Sequence, residues 1–359
     1  MAQYQGKPLV KGNELLLVLQ KHLSGWNLSR QKFVVLFVTA LLKTGMKSLL
    51  EIAGAFDSEA KSASSLRRIE RFLGSFDFCI SIFGKLMIAL MGLRGQKVYL
   101  LLDRTEWQFG RQWVNVMMLS VSVEGMSIPI FWRVYAKKGL SSQGERIALM
   151  QSFLTYFPDL EVLYLIADRE FVGKDWFQYL KEAQIPFVMR LRENFQVSKN
   201  GETKSIKAYC RDVRSCQYYH KGHFKVCDTS LHIAVTYLQG ELLILGSLQR
   251  DLNIFKVYQK RWGIETLFKA LKTQGFQIEN TAVTEPKKVE KLLFLIAIAF
   301  VWAYKTGVWR NQEEPVRICK NGHQEFSFFR YGFLFLQSSL LNHAKYQQLI
   351  MSIKKLSGD

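Results

Sequence analysis

Cysteine is scarce in this chain of 359 residues: there are five, odd in number and unevenly spaced at Cys79, Cys210, Cys216, Cys227 and Cys319. That count and spacing argue against a disulfide framework and fit reduced thiols. No Cys-x-x-Cys pair occurs, so the grouping Cys210, Cys216, His220, His223 and Cys227 matches no common zinc module and reads as ordinary side chains. No apolar run reaches the roughly 20 residues that a membrane-spanning helix needs. The longest, LLFLIAIAFVWAY at 292–304, lies between Lys291 and Lys305 and reads as a buried core helix. The opening MAQYQGKPLVKGNE lacks the basic stretch, apolar core and small-residue cleavage site of a secretory signal, so a cytoplasmic, nucleoid-associated protein without membrane partners is expected. No repeat or low-complexity tract is present.

Acidic residues are also in deficit. The 49 Lys and Arg outnumber 30 Asp and Glu and give a net charge of +19, which attracts polyanions at long range. Nucleic acid is the first partner to consider and an anionic membrane surface the second. A hydrophobic content of 48% with 13% aromatics belongs to a folded chain long enough for two or three domains.

Residues 1–94 carry apolar side chains at three- and four-residue intervals in NELLLVLQKHL, RQKFVVLFVTALLKT, MKSLLEIAGAF, SASSLRRIERFLGSF and CISIFGKLMIALMG, and read as a helical DNA-binding domain. Arg67, Arg68 and Arg71 cluster there, as on a DNA-contacting helix or the solvated face of a bundle. From Gly95 the pattern changes. KVYLLLDRTEW, WVNVMMLSVSVEG and SIPIFWRVYAKKG read as three strands, GERIALMQSFLTYF as a helix, and EVLYLIADREF and PFVMRLREN as strands flanking the helical KDWFQYLKEAQ. The expected class is α/β, a mixed sheet with flanking helices over 95–194. A β-rich insertion follows at 195–250, then helical spacing over 251–275 and 286–307 within a second core segment at 251–309, and a helical C-terminal region at 310–359.

Asp103 and Asp168 each end an apolar strand, where open sheets of this class collect ligands and catalytic groups. An acid at a strand end also commonly caps a turn, so neither is decisive alone. The segment VYQKRWGIETLFKALK at 257–272 sets one carboxylate, Glu265, among basic side chains. Read as one continuous helix, it places Tyr258, Arg261, Glu265 and Lys272 within an arc of about 60°, with Lys269 close by. Val257, Ile264, Leu267, Phe268 and Leu271 fall on a separate, core-facing arc. Three carboxylates in a small space need a cation to neutralise them. Oxygen-only ligands suit Mg²⁺, with Mn²⁺ as a substitute, for in-line phosphoryl transfer, and the basic stripe suits DNA phosphates.

These residues resemble the bacterial DDE transposases, in particular the insertion-sequence-four family, marked by Tyr, two residues, Arg, three residues, Glu, six residues, Lys. Tyr258, Arg261, Glu265 and Lys272 stand at that spacing, and IADREF and LLLDRTEW resemble the family's two Asp-bearing strands. The resemblance covers about 97–300 and, more loosely, the basic front. It implies a ribonuclease-H-like core with a β insertion between the second Asp and the Glu, in keeping with the longer gap from Asp168 to Glu265. It further implies that Asp103, Asp168 and Glu265 are the catalytic residues and hold the metal ions. Tyr258, Arg261, Lys269 and Lys272 would meet DNA. A homodimer would act on the paired inverted-repeat ends of an insertion sequence, nicking them and joining their 3′-hydroxyls to target DNA by cut-and-paste transposition. Some members stack a flipped base on a Trp of the insertion. This chain has no Trp between Trp176 and Trp262, so that feature does not carry over, and Tyr237 is either its substitute or core. Three rivals remain: a nuclease on the same core without strand transfer, a catalytically silent transposase-derived DNA-binding protein, and a peripheral membrane protein.

Overall fold

The structure, a computed structural model, describes residues 13–357 except 46, 47, 77, 78, 216, 239 and 321; Cys216 therefore lies outside the described residues. The front of the chain forms α1 (Asn13–His22), α2 (Leu28–Thr44), α3 (Leu49–Gly54), α4 (Ser62–Ser75) and α5 (Ile80–Leu90). The strands β1 (Lys97–Phe109), β2 (Gln112–Val123) and β3 (Met126–Tyr135) follow, then α6 (Gln143–Tyr156), β4 (Glu161–Ala167), α7 (Lys174–Glu182) and β5 (Phe187–Leu191). Next come β6 (Gln196–Lys199), β7 (Glu202–Ser205), β8 (Tyr219–Val226), β9 (Thr229–Leu238) and β10 (Glu241–Ser247). The chain closes with α8 (Ile254–Gln259), α9 (Trp262–Lys272), α10 (Pro286–Glu313), α11 (Phe328–Leu341) and α12 (Tyr346–Ser357).

Two compact units result: one takes in the chain up to Leu93, Trp107–Val114 and the chain from Phe268 onward, and the other holds Arg94–Glu106 and Asn115–Leu267. In the helical unit, α10 runs against α2, α4, α5, α11 and α12. Its 28 residues are long and apolar enough to cross a membrane by length and composition, but most of them are buried inside the protein. The two lysines flanking the apolar run are part of this helix and explain its neighbours' ends. Lys291 Nζ donates to Leu73 O at 2.7 Å near the end of α4, and Lys305 Nζ donates to Leu90 O at 2.7 Å and Leu356 O at 3.0 Å. Carbonyls that a helix C-terminus leaves unpaired are thus satisfied by the buried ammonium of Lys291 and the half-buried one of Lys305.

The other unit is built on one sheet of order β3-β2-β1-β4-β5-β10-β9-β8-β6-β7. β2 and β3 pair antiparallel, whereas β1, β4 and β5 run parallel, and β10 adds antiparallel to β5. The meander followed by parallel strands, with helices packed on the sheet, is the ribonuclease-H-like arrangement. The strands of 195–250 extend this same sheet through β10. α6 packs on β3 and α7, α7 on β9, and α8 on β5. α6 begins with a capping box in which Ser142 and Glu145 satisfy each other's backbone N–H.

Candidate active site

β1 is buried from Leu100 to Leu102 and becomes half-exposed at Asp103; β4 is buried from Leu165 to Ala167 and gives way to Asp168. The parallel register pairs Leu102 with Ala167, so the next residue along each segment is an aspartate and the two stand on neighbouring strands. The expectation that both end a strand is corrected for Asp103, because β1 runs on through it to Phe109, and only Asp168 follows a strand end. The Arg104 N–H donates to Asp103 Oδ1 at 2.8 Å. Burial is the main force on the Asp103 carboxyl and pushes it up to about 7; Arg104 N–H and Arg261 oppose the shift, and Glu170 and Asp168 add to it.

The reading of 257–272 as one continuous helix is corrected. α8 ends at Gln259 and α9 starts at Trp262. Between them the backbone winds more tightly: Arg261 N bonds Tyr258 O at 3.0 Å, Gly263 N bonds Lys260 O at 3.0 Å and Ile264 N bonds Arg261 O at 3.1 Å, all three residues apart. The cause is visible at Gly263, where a Cβ would stand 2.8 Å from both Met126 C and Met126 O. The first turn of α9 rests directly on the β3 backbone, which only glycine permits. The apolar arc is nevertheless as expected, with Val257, Ile264, Leu267, Phe268 and Leu271 all buried.

The tight turn brings Tyr258, Arg261 and Glu265 to the two aspartates. The Tyr258 hydroxyl donates to Asp168 Oδ1 at 3.3 Å. Arg261 Nη1 lies 3.5 Å from Asp103 Oδ2, and its Nη2 donates to Glu265 Oε1. One guanidinium therefore serves two of the three acids. Burial works against its charge, but Tyr258, Asp168, Glu265 and Asp103 outweigh it and push its pKa up. Burial likewise pushes the Tyr258 hydroxyl up, so it stays a neutral donor.

Two aspartates on neighbouring parallel strands and a helix-borne glutamate, gathered on one ribonuclease-H-like sheet, form the arrangement expected of an acid triad for phosphoryl transfer. Residues 95–302, more than half of the chain, match the family model described as the transposase DDE domain. This chain is a DDE transposase. No curated protein matches it. The enzyme acts on DNA, and transposases of this kind use divalent metal ions.

Whether the transposase's own residues suit such an ion follows from the donor set. Three carboxylates are the hard oxygen ligands that Mg²⁺ or Mn²⁺ takes. Asp103 and Glu265 already converge on a positive charge. Among the described residues no three His, Cys, Asp or Glu are grouped to hold a metal as they stand, and the cation between Asp103 and Glu265 is Arg261. The chemistry of the donors fits a divalent ion.

The remaining basic residues read from the sequence belong to the helical unit of the transposase. Lys269 is exposed; Lys272 Nζ lies 2.8 Å from Glu279 Oε1 and 5.7 Å from the Trp107 ring centroid. On α4, Arg67 and Arg71 are exposed on one face, and the Arg68 guanidinium lies 6.0 Å from the Phe56 ring centroid. The histidines and cysteines of the β insertion form no metal group among the described residues.

Two features of the sheet unit were not read from the sequence. A groove of about 260 Å³ has Tyr258 and Arg261 in its wall together with Tyr218, Leu238, Phe255 and Trp262. Tyr218 is 66% exposed, with its ring centroid 4.7 Å from that of Phe255, and Trp262 is 58% exposed, whereas Tyr237 is only half-exposed. The second is an ion-pair network. Arg104 Nε and Nη2 donate to the two carboxylate oxygens of Glu170, each at 3.2 Å, and Nη1 donates to Glu106 Oε2 at 2.7 Å.

Proposed function

We propose that this transposase belongs to the insertion-sequence-four family, cuts DNA at the inverted-repeat ends of an insertion sequence, and transfers the 3′-hydroxyl ends to target DNA by cut-and-paste. The observation that carries this reading is the meeting of Asp103, Asp168 and Glu265 around Arg261 and Tyr258, from two strands and the α8–α9 segment far apart in the chain. Asp103, Asp168 and Glu265 would hold Mg²⁺, with Mn²⁺ able to replace it. Bound there, the ions supply activation of the attacking oxygen and stabilisation of the leaving one.

The chain's own groups bind and orient the DNA. Arg261 Nε is buried with no hydrogen-bond partner, so this guanidinium retains a donor for a phosphate oxygen. Lys269 and Lys272 extend the basic character of α9, and Arg67, Arg68 and Arg71 on α4 give residues 1–94 the role of a DNA-binding domain. The exposed faces of Tyr218 and Trp262 offer stacking surfaces to a base drawn out of the duplex. By family resemblance the active complex is a homodimer holding two inverted-repeat ends beside the target, in the cytoplasm at the nucleoid.

The reading is tested with pre-cleaved end DNA, a supercoiled plasmid and Mg²⁺. Joined, relaxed or linear products carrying the end DNA support it. Hydrolysis without any joined product would instead favour a nuclease on the same core.

A further inference from the structure

The ion pair between Arg104 and Glu170 ties the middle of β1, beside Asp103, to the turn that follows Asp168. Arg104 follows Asp103 directly, and its backbone N–H already holds Asp103 Oδ1. Glu170 lies in the single 3₁₀ turn, Arg169–Phe171, that begins immediately after Asp168. The guanidinium meets Glu170 through two parallel hydrogen bonds, a geometry that fixes both distance and angle. Arg104 is only 11% exposed and Glu170 20%, so the pair is held within the protein.

A second layer fixes the fork. Glu106 accepts from Arg104 Nη1 and also from the Gly139 N–H at 3.1 Å. Gly139 takes φ +88°, the left-handed region that favours glycine, and its carbonyl accepts from Asn115 Nδ2 at 2.7 Å. On the other side of the turn, the buried Arg146 donates to Val172 O at 3.4 Å and packs 5.2 Å from the Phe171 ring centroid. The segment following Asp168 is thus gripped by one arginine from β1 and another from α6.

A surface ion pair placed for stability alone has no reason to join the residue after one aspartate to the turn after the other. We propose that Arg104 and Glu170, backed by Glu106, are positioning residues that set the separation of the Asp103 and Asp168 carboxylates for divalent-ion binding. This rests on the proposed metal role of the two aspartates. A monodentate lysine cannot reproduce the fork, which explains arginine at this position.

The test uses the full chain with Mg²⁺ alone and then with end DNA. Arg104→Met, Glu170→Gln and the double variant are compared by calorimetric Mg²⁺ binding and by the Mg²⁺ midpoint of end cleavage. Each single substitution should weaken Mg²⁺ binding and raise the midpoint by about 10–100-fold, as loss of groups that orient metal ligands does. The double variant should be no worse than the poorer single, because one tie is cut either way. Glu170→Gln preserves shape and keeps the test open if Arg104→Met does not fold. Unchanged Mg²⁺ binding and midpoint in Glu170→Gln, whatever its thermal stability, overturns the inference while leaving the function intact. A wild-type chain that binds no Mg²⁺ overturns the underlying reading as well.

Discussion

Arg261 Nη1 lies 3.5 Å from Asp103 Oδ2, and the same guanidinium also holds Glu265. Two like charges that would repel are kept together by an internal cation whose buried Nε has no hydrogen-bond partner. Arg261→Ala should weaken end-DNA binding and lower the slope of log affinity against log salt by about one. Arg261→Lys should restore the charge without the fork. An unchanged slope across a salt series would remove Arg261 from the DNA contacts. The same measurement on Lys272→Ala tests the second basic residue of α9.

The exposed ring of Trp262 faces a groove shared with Tyr218 and Phe255. Trp262→Ala should reduce affinity for end DNA by about 1–3 kcal/mol if a base stacks there. With 2-aminopurine placed in the end sequence, wild-type binding should change its fluorescence and the variant should abolish the change. Equal fluorescence in both proteins would argue that the groove takes no base.

Gly263 lets the first turn of α9 rest on the Met126 backbone. Gly263→Ala forces a Cβ into a space with 2.8 Å clearance and should cost on the order of 1–3 kcal/mol. The thermal midpoint should fall, and cleavage should fall with it because Glu265 lies two residues on. A variant with wild-type stability would show that the turn can shift freely.

His232 is buried on β9, with the His220 and His223 ring centroids 5.2 and 5.4 Å away. Burial, followed by the two histidines and Arg250, pushes its pKa down from 6.5 to about 4. The folded state refuses a proton that the unfolded chain accepts near 6.5. Stability from this residue is complete above that pH and falls as pH drops towards about 4, by on the order of 1–3 kcal/mol. Thermal midpoints of wild type and His232→Gln should converge over this window. Parallel curves would contradict the assignment.

Much of the sheet was legible because its signals are local. Apolar runs that stop at Asp103 and Asp168 show both the strand and the less buried acid in a few residues, although β1 itself continues past Asp103 to Phe109, where its side chains turn polar and the run no longer marks it. The break between α8 and α9 was not, since tight winding at Arg261 depends on Gly263 meeting β3, a contact that no periodicity encodes. Nor was the way β10 joins the strands of 195–250 to β5, because strand partners distant in sequence leave no mark in either strand. The Arg104–Glu170 fork was hidden for the same reason: its members stand 66 residues apart and each resembles an ordinary surface charge. The arc holding Tyr258, Arg261 and Glu265 came out on one side despite the wrong helix, because the four-residue step from Arg261 to Glu265 survives the break.

The most direct test measures Mg²⁺-dependent cleavage of labelled end DNA alongside its binding by wild type, Asp103→Asn, Asp168→Asn and Glu265→Gln. Each variant should lose cleavage down to the metal-free background while retaining close to wild-type affinity for the end, since metal ligation is removed and the basic contacts remain. Wild-type cleavage by any one of the three would contradict the triad as assigned.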